Sequence, residues 1–167
     1  TIAGPKEGEG SVGSCIDTVL EDDRFEEKTF EKAECKMLSF AIGHAISNAK
    51  KRFSDIDALV AGDLLNQIIS ASFAARDYSI PFIGVYNACS TMSESLALGA
   101  ALIDGGYMNN VVCATGSHFS TAERQYRYPL ELGSTRPPQA QWTVTGAGAA
   151  VLSSAGQGPK ITMATFG

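Results

Sequence analysis

Short apolar runs along the chain alternate with stretches whose apolar residues recur at helical spacing. The continuous runs, each bounded by polar or turn residues, predict strands at 58–62, 82–86 and 111–114. The helically spaced stretches predict helices at 30–51, 68–78 and 91–104. Apolar strands that alternate with helices favour a parallel sheet covered on both faces. The pattern therefore predicts an α/β fold with three layers and a mostly parallel sheet.

The segment VYNACSTMSESLALGAALIDGG, residues 85–106, has the clearest pattern. It predicts the end of a strand, a sharp turn carrying Cys89, and a helix. Thr91 and Glu94 match a capping box at the start of that helix. Residues 95–103 contain no charge and place apolar or small residues on every face, which predicts a helix buried on all sides. The run is too short for a membrane span, so we expect this burial to be within protein.

Cys89 is the first candidate for chemistry. A cysteine at a helix start faces backbone N–H groups and the positive end of the helix dipole, which stabilise a thiolate or a bound anion. The alternative is a small buried hydrophobic residue, as free cysteines often are. The position in a strand-to-helix turn favours a site.

Polar residues follow each of the three predicted strands. In open α/β sheets, ligands bind beyond the carboxyl ends of the strands. The residues at that edge are Asp63 and Asn66, then 87–90, and then 117–120. We expect these three segments to meet at one rim.

The segment 119–143 has no clear periodicity, and we expect a long loop. It holds three of the six arginines, Arg124, Arg127 and Arg136, together with Tyr126, Tyr128 and Trp142. Arginine forks and flat rings suit a planar ligand with carboxylates, and they equally suit a loop pinned to its own domain or to a second subunit. Both interpretations stay open. After this loop, 146–153 and 161–166 predict a hairpin or an edge pairing.

The composition excludes several classes of function. With 18 Asp and Glu against 13 Lys and Arg, the chain has no general attraction to nucleic acid or anionic membranes. The four cysteines show no C-x-x-C spacing and no secretory signal, which predicts reduced thiols in a cytosolic compartment. The run TGAGAA lacks the Gly-Lys-Ser/Thr ending of a phosphate loop, and no metal-ligand spacing occurs, so no cofactor and no metal are expected.

Several runs together resemble one family. NACSTMSESLALGAALIDGG, AERQYRYP, QWTVTGAGA, AGDLLNQ and AGPKEGEG are similar to the stage V sporulation protein AD family, thiolase-fold proteins of spore-forming Firmicutes. The resemblance implies the first of two βαβαβαββ halves, a single N-terminal domain over 1–167 whose opening strand is missing from the middle of the sheet. Both ends look cut, since the chain starts without an initiator Met. The absent second half would cover the helix at 91–104.

The resemblance also implies a function. The family is understood as a non-catalytic binder of dipicolinic acid, a pyridine with two carboxylates, which works with other stage V sporulation membrane proteins in uptake into spores and release at germination. It implies a homodimer through the strand near 111–117 and the following loop. The protein would lie on the forespore side of the spore inner membrane, peripherally attached. The candidate ligand-binding residues are Cys89, Ser90, Asp63, Asn66, His118 and Arg124.

Asp63 fits this set poorly, because its charge would repel a dianion. It would instead orient His118 or a backbone amide, or bind a counter-cation such as the calcium that accompanies dipicolinate.

The rival function is an acyltransferase of the thiolase or ketoacyl synthase type. In that wider superfamily the cysteine at the position of Cys89 is the acyl-accepting nucleophile, and two histidines from the second half activate it. The presence of those histidines in the missing sequence would favour the enzyme, and their absence would favour the binding protein. A third interpretation is a structural subunit with a vestigial pocket.

Overall fold

One six-stranded sheet organises the residues described in this computed structural model, 1–127 and 143–165. Its strands are β1 (Ile2–Ala3), β2 (Thr18–Val19), β3 (Ala58–Gly62), β4 (Phe82–Gly84), β5 (Asn110–Ser117) and β6 (Gly146–Ser153). The helices are α1 (Pro5–Gly8), α2 (Phe30–Asn48), α3 (Ile69–Tyr78) and α4 (Thr91–Asp104). The predicted α/β class is confirmed, and each predicted helix and strand through 114 lies within a few residues of its expected bounds.

The strand order is β2-β1-β6-β5-β3-β4. β3 pairs in parallel with both β4 and β5, so the carboxyl ends of these three strands meet at one edge. β6 runs antiparallel to β5 and to β1. The candidate site residues therefore follow strands of the parallel part of the sheet. The apolar runs predicted this parallel arrangement.

Alternate residues of the central strands point to opposite faces of the sheet. Leu59 and Val112 pack with α2 and α3 in one core. Val60, Val111 and Cys113 pack with α4 in the other. This alternation is what places helices on both faces, and it confirms the three layers.

Two expectations about the sheet are wrong. The chain opens with the strand β1, which lies between β2 and β6, and the centre of the sheet is filled because β3 pairs directly with β5. Residues 161–165 form no strand. β6 instead pairs along its whole length with β5, from Gly146 opposite Ser117 to Ser153 opposite Asn110. Residue 166 lies outside the described residues.

The start of α4 also differs from the prediction. Thr91 is the first residue of the helix rather than its cap, and its hydroxyl accepts a hydrogen bond from the backbone N–H of Asn87. Ser90 occupies the cap position and makes no side-chain bond to the helix. The predicted capping box is therefore absent.

α4 is not buried on every side within the described residues. Ser95 and Gly99 face the sheet and are fully covered, whereas Leu96 and Leu98 are partly buried and Ala101 is exposed. Only the sheet covers this helix here, so its outer surface stays open to solvent. The expected cover from a second half remains a prediction.

No helix among residues 1–127 and 143–165 is both long enough and apolar enough to cross a membrane.

Candidate functional site

The turn that carries Cys89 leads from β4 into α4. The backbone N–H of Val85 donates to the carbonyl of Ala61 (3.0 Å), which extends the pairing with β3 past the end of the strand. A 3₁₀ turn, Ala88–Ser90, follows, and α4 begins at the next residue. The thiol of Cys89 is free and its residue is exposed. The predicted position of Cys89 at the helix start is confirmed.

Hydrogen bonds within the turn occupy the backbone N–H groups that lead into α4, since the N–H of Thr91 donates to the carbonyl of Ala88. Both the backbone N–H and the hydroxyl of Ser90 donate to the carbonyl of Asn87, at 2.9 and 2.8 Å. The Ser90 side chain is therefore turned back on the preceding residue and does not cap α4. No side chain caps the start of α4, so the positive end of its dipole is suited to an anion.

Three segments that follow parallel strands meet beside this turn. The backbone N–H of Glu123, after β5, donates to the carbonyl of Leu64, after β3 (2.8 Å). The hydroxyl of Tyr86, after β4, donates to the Glu123 carboxylate (2.5 Å), and Gln125 donates to its other oxygen (2.7 Å). The carboxylate acceptor raises the pKa of Tyr86. Segments 63–66, 86–90 and 117–127 thus share one rim.

Glu123 and Tyr86 were not among the residues expected at the site. Tyr86 ends an apolar run and Glu123 lies in an aperiodic loop, so neither carries a periodic or motif signal. Only the parallel pairing of β3 with both neighbours brings them together.

Asp63 is buried and fully engaged with the backbone. One carboxylate oxygen accepts from the N–H of Leu65 (2.8 Å) and the other from the N–H of Ala71 in α3 (2.7 Å). Burial raises the pKa of Asp63, and these backbone N–H groups oppose that rise. Of the roles expected for Asp63, the structure shows one: its carboxylate orients the backbone amides of Leu65 and Ala71. Asn66, in the same loop, is exposed.

His118 lies in the interior with an exposed fraction of 0%. Its Nδ1 accepts from the backbone N–H of Ser120 (3.0 Å), so the proton is on Nε2, which lies 2.9 Å from the carbonyl of Asp23 and donates to it. The ring also packs on Phe30, with centroids 4.9 Å apart. The expectation that His118 contacts a ligand is therefore not supported, because both ring nitrogens are hydrogen-bonded to backbone groups. Arg124 lies in a 3₁₀ turn, Arg124–Tyr126, and is exposed.

A cleft among the described residues lies away from this rim. It has a volume of about 540 Å³ and runs between α2 and α3, where none of the six candidate residues lines it. A second cleft of about 480 Å³ lies between the outer surface of α4 and residues 151–161. Tyr128, Arg136 and Trp142, the other residues expected at the Cys89 rim, lie outside the described residues.

The fold is that of thiolase-like proteins. It resembles 3-oxoacyl-[acyl-carrier-protein] synthase III from Aquifex aeolicus VF5, with a TM-score of 0.55 and 17% identity over 74% of this chain and 39% of that one. It likewise resembles the priming beta-ketosynthase of the R1128 polyketide biosynthetic pathway, with a TM-score of 0.54 and 17% identity over 72% and 35% of the two chains. At such identities the likeness establishes the fold alone.

The family is established by sequence. The family model described as Stage V sporulation protein AD matches residues 1–167. The chain is 44% identical to Stage V sporulation protein AD of Bacillus subtilis (strain 168), over 100% of this chain and 49% of that protein. The chain therefore belongs to the stage V sporulation protein AD family, and it spans about half the length of that curated relative.

Proposed function

We propose that this chain forms part of a sporulation protein that binds dipicolinate at the Cys89 rim without catalysing a reaction. One observation carries this proposal: α4 begins without a side-chain cap, directly after an exposed turn formed by Cys89 and Ser90. Family membership supports the role in sporulation. The rim thus presents the positive end of the α4 dipole to an anionic ligand.

The chemistry of binding is the capture of two carboxylates. One carboxylate would accept hydrogen bonds from N–H groups that follow Thr91 in the first turn of α4, and the other would pair with Arg124, whose guanidinium fork matches a carboxylate. Asn66 offers an exposed amide on the neighbouring segment. Asp63 and His118 would not contact the ligand. They would fix the backbone of the rim segments, since their polar atoms are hydrogen-bonded to backbone groups.

Calorimetric titration of the complete protein with dipicolinate tests this proposal. Cys89→Phe, which blocks the turn, should abolish or strongly weaken binding, whereas Cys89→Ser should be mild because the backbone donors remain. Arg124→Ala should cost about 1–3 kcal/mol for a lost charged hydrogen bond. Arg52→Ala is the matched control, because Arg52 precedes β3 at the opposite edge of the sheet. Full-affinity binding by Cys89→Phe would exclude the Cys89 rim.

The second candidate function is acyl transfer by Cys89, which the exposure of its thiol at the helix start favours. The thiolate would attack the carbonyl of an acyl-CoA, forming a thioester and releasing CoA. Among the described residues no histidine serves as its base, since His118 is buried and His44 lies in α2. Mass spectrometry after incubation with acyl-CoA should detect no adduct on Cys89. An adduct without dipicolinate binding would overturn the binding proposal.

The cellular role follows from the ligand. We infer that the protein acts in uptake of dipicolinate into spores and in its release at germination, as a homodimer with stage V sporulation membrane partners at the forespore side of the inner membrane. The family membership supports this inference. Fractionation of sporulating cells tests it: the protein should be recovered with the forespore membrane, and exclusive recovery from the mother cell would contradict it.

A further inference from the structure

Glu34 is a carboxyl group in the interior that the proposed binding chemistry does not use. It lies in α2 with an exposed fraction of 1%. One oxygen, Oε2, accepts a hydrogen bond from the hydroxyl of Thr121, in the segment after β5. The other, Oε1, is buried and has no hydrogen-bond partner among the described residues. Such a group is costly to bury in its ionised form, since a charge needs either a partner or water.

The groups that surround Glu34 do not neutralise a negative charge. Asp63 adds its own charge from the loop after β3, and Glu31 does so from α2. Ser70 of α3 and Thr121 contribute hydroxyls, and Cys35 is the neighbouring thiol. Within the described residues Glu34 forms no salt bridge. Burial therefore raises the pKa of Glu34 to about 8, and the Asp63 charge adds to that rise while the Thr121 hydroxyl opposes it.

Thr121 belongs to a tight turn that leads to the rim. The backbone N–H groups of Thr121 and Ala122 both donate to the carbonyl of His118, at 3.1 and 2.9 Å. Ala122 is fully buried, and the next residue, Glu123, accepts from Tyr86. Tyr86 in turn lies three residues before Cys89. A continuous series of contacts thus joins Glu34 to the turn that carries the candidate site.

We propose that Glu34 is a positioning residue: its protonated carboxyl holds the turn 118–123 against α2, and its ionisation releases this turn and weakens ligand binding at the Cys89 rim. An ionised Glu34 must gain water at Oε1, which requires that α2 and the turn separate. The positioning role stands on the geometry alone. The effect on ligand binding rests on the proposed function.

Hydrogen exchange of the complete protein tests the positioning role without any ligand. The reporters are the amides of Thr121, Ala122 and Glu123, compared between wild type and Glu34→Gln at each pH so that intrinsic exchange rates match. From pH 6.5 to 8, protection in the wild type should fall relative to Glu34→Gln, by up to about tenfold per pH unit, and it should level off above pH 8. Glu21→Gln, the same change at an exposed position outside α2, should behave as the wild type. If amide protection changed with pH by the same factor in wild type and in Glu34→Gln, the proposal would be overturned.

A second pair of variants keeps the test decisive if Glu34→Gln fails to fold. Thr121→Val removes the hydroxyl at nearly constant volume and should move the pH response of the turn to higher pH, because this hydroxyl opposes the rise in the pKa of Glu34, whereas Thr121→Ser should keep the response unchanged. A wild-type response in Thr121→Val would overturn the proposal.

Titration with dipicolinate at pH 6.5 and 9 then tests the effect on the site. Affinity of the wild type should fall at the higher pH, and that of Glu34→Gln should not. Equal pH dependence in both proteins would overturn the coupling. Absence of binding at either pH would contradict the proposed function, while the exchange experiment would still decide the role of Glu34.

Discussion

At the scale of single residues, His118 and Asp63 are parts of the scaffold beneath the rim. Each directs two polar atoms at the backbone: His118 joins Asp23 to Ser120, and Asp63 joins the loop after β3 to the first turn of α3. Buried polar groups with all their hydrogen bonds made fix local conformation. They hold the segments that carry the exposed site residues.

Replacement of His118 by Phe should therefore lower stability. The ring volume is nearly kept, but the Asp23 carbonyl and the Ser120 N–H lose their partners, for an expected loss of about 1–3 kcal/mol in the free energy of unfolding. Denaturant titration measures this loss. His44→Phe is the control, because His44 is half-buried and stacks on Phe40 at 5.6 Å. An equal effect of both changes would contradict the scaffold role.

A second prediction concerns Glu34 and the dependence of the protein's global stability on pH. Its pKa in the folded protein, about 8, lies above the usual 4.5, so its contribution to stability is complete below about pH 4.5 and is lost as the pH rises through 8. Between pH 6 and 9 the wild type should lose stability relative to Glu34→Gln. Chemical denaturation at several pH values measures the difference. A constant difference across this range would mean that Glu34 stays ionised throughout.

Sequence reasoning placed Asp63 and His118 at the correct strand ends but did not reveal their partners, and it did not single out Glu34, which lies in α2. The carbonyl that binds His118 is 95 residues away in the chain, and the hydroxyl that binds Glu34 is 87 residues away. Backbone acceptors have no residue-type signal, so only the folded chain identifies them. Cys89 was placed correctly because a local pattern, an apolar run followed by a helix, defines its turn.

At the scale of elements, the approach of β3 to the turn before α4 depends on Gly62. A Cβ atom at this position would lie 2.0 Å from the carbonyl oxygen of Val85 and 2.9 Å from the side chain of Thr91. The two segments can meet beside the candidate site only because residue 62 has no side chain.

Gly62→Ala should therefore destabilise the protein strongly, by about 3 kcal/mol as expected for overpacking against backbone. Gly116→Ala is the matched control in β5, where a Cβ atom would lie 3.5 Å from that of Leu38, an ordinary contact. Denaturant titration of both variants should show a large loss only for the first. A small loss for Gly62→Ala would contradict the packing described here.

The elements that carried a strong pattern were the ones that sequence could predict. β3, α3 and α4 match their expected bounds within one residue. β1 and β2 are two residues each, too short to show a period, and were missed. The sequence predicted no strand order within the sheet, because the placement of β6 between β5 and β1 is not encoded in the order of elements along the chain.

At the scale of the whole molecule, β5 is not available for pairing between subunits. It is bonded on one side to β3 and on the other to β6. A dimer contact through the strand near 111–117 and the following loop would therefore use side chains rather than strand pairing, and the homodimer remains a prediction. Light scattering of the complete protein at micromolar concentration should give twice the mass of one chain. A monomer's mass would contradict it.

The central claim is that an anionic ligand binds at the uncapped start of α4. A crystal structure of the complete protein with dipicolinate tests this claim most directly. We expect one carboxylate within hydrogen-bond distance of the backbone N–H groups that follow Thr91 in the first turn of α4, beside Cys89 and Ser90, with no bond to the sulfur. Dipicolinate bound in the cleft between α2 and α3, or an acyl group on Cys89, would contradict the account.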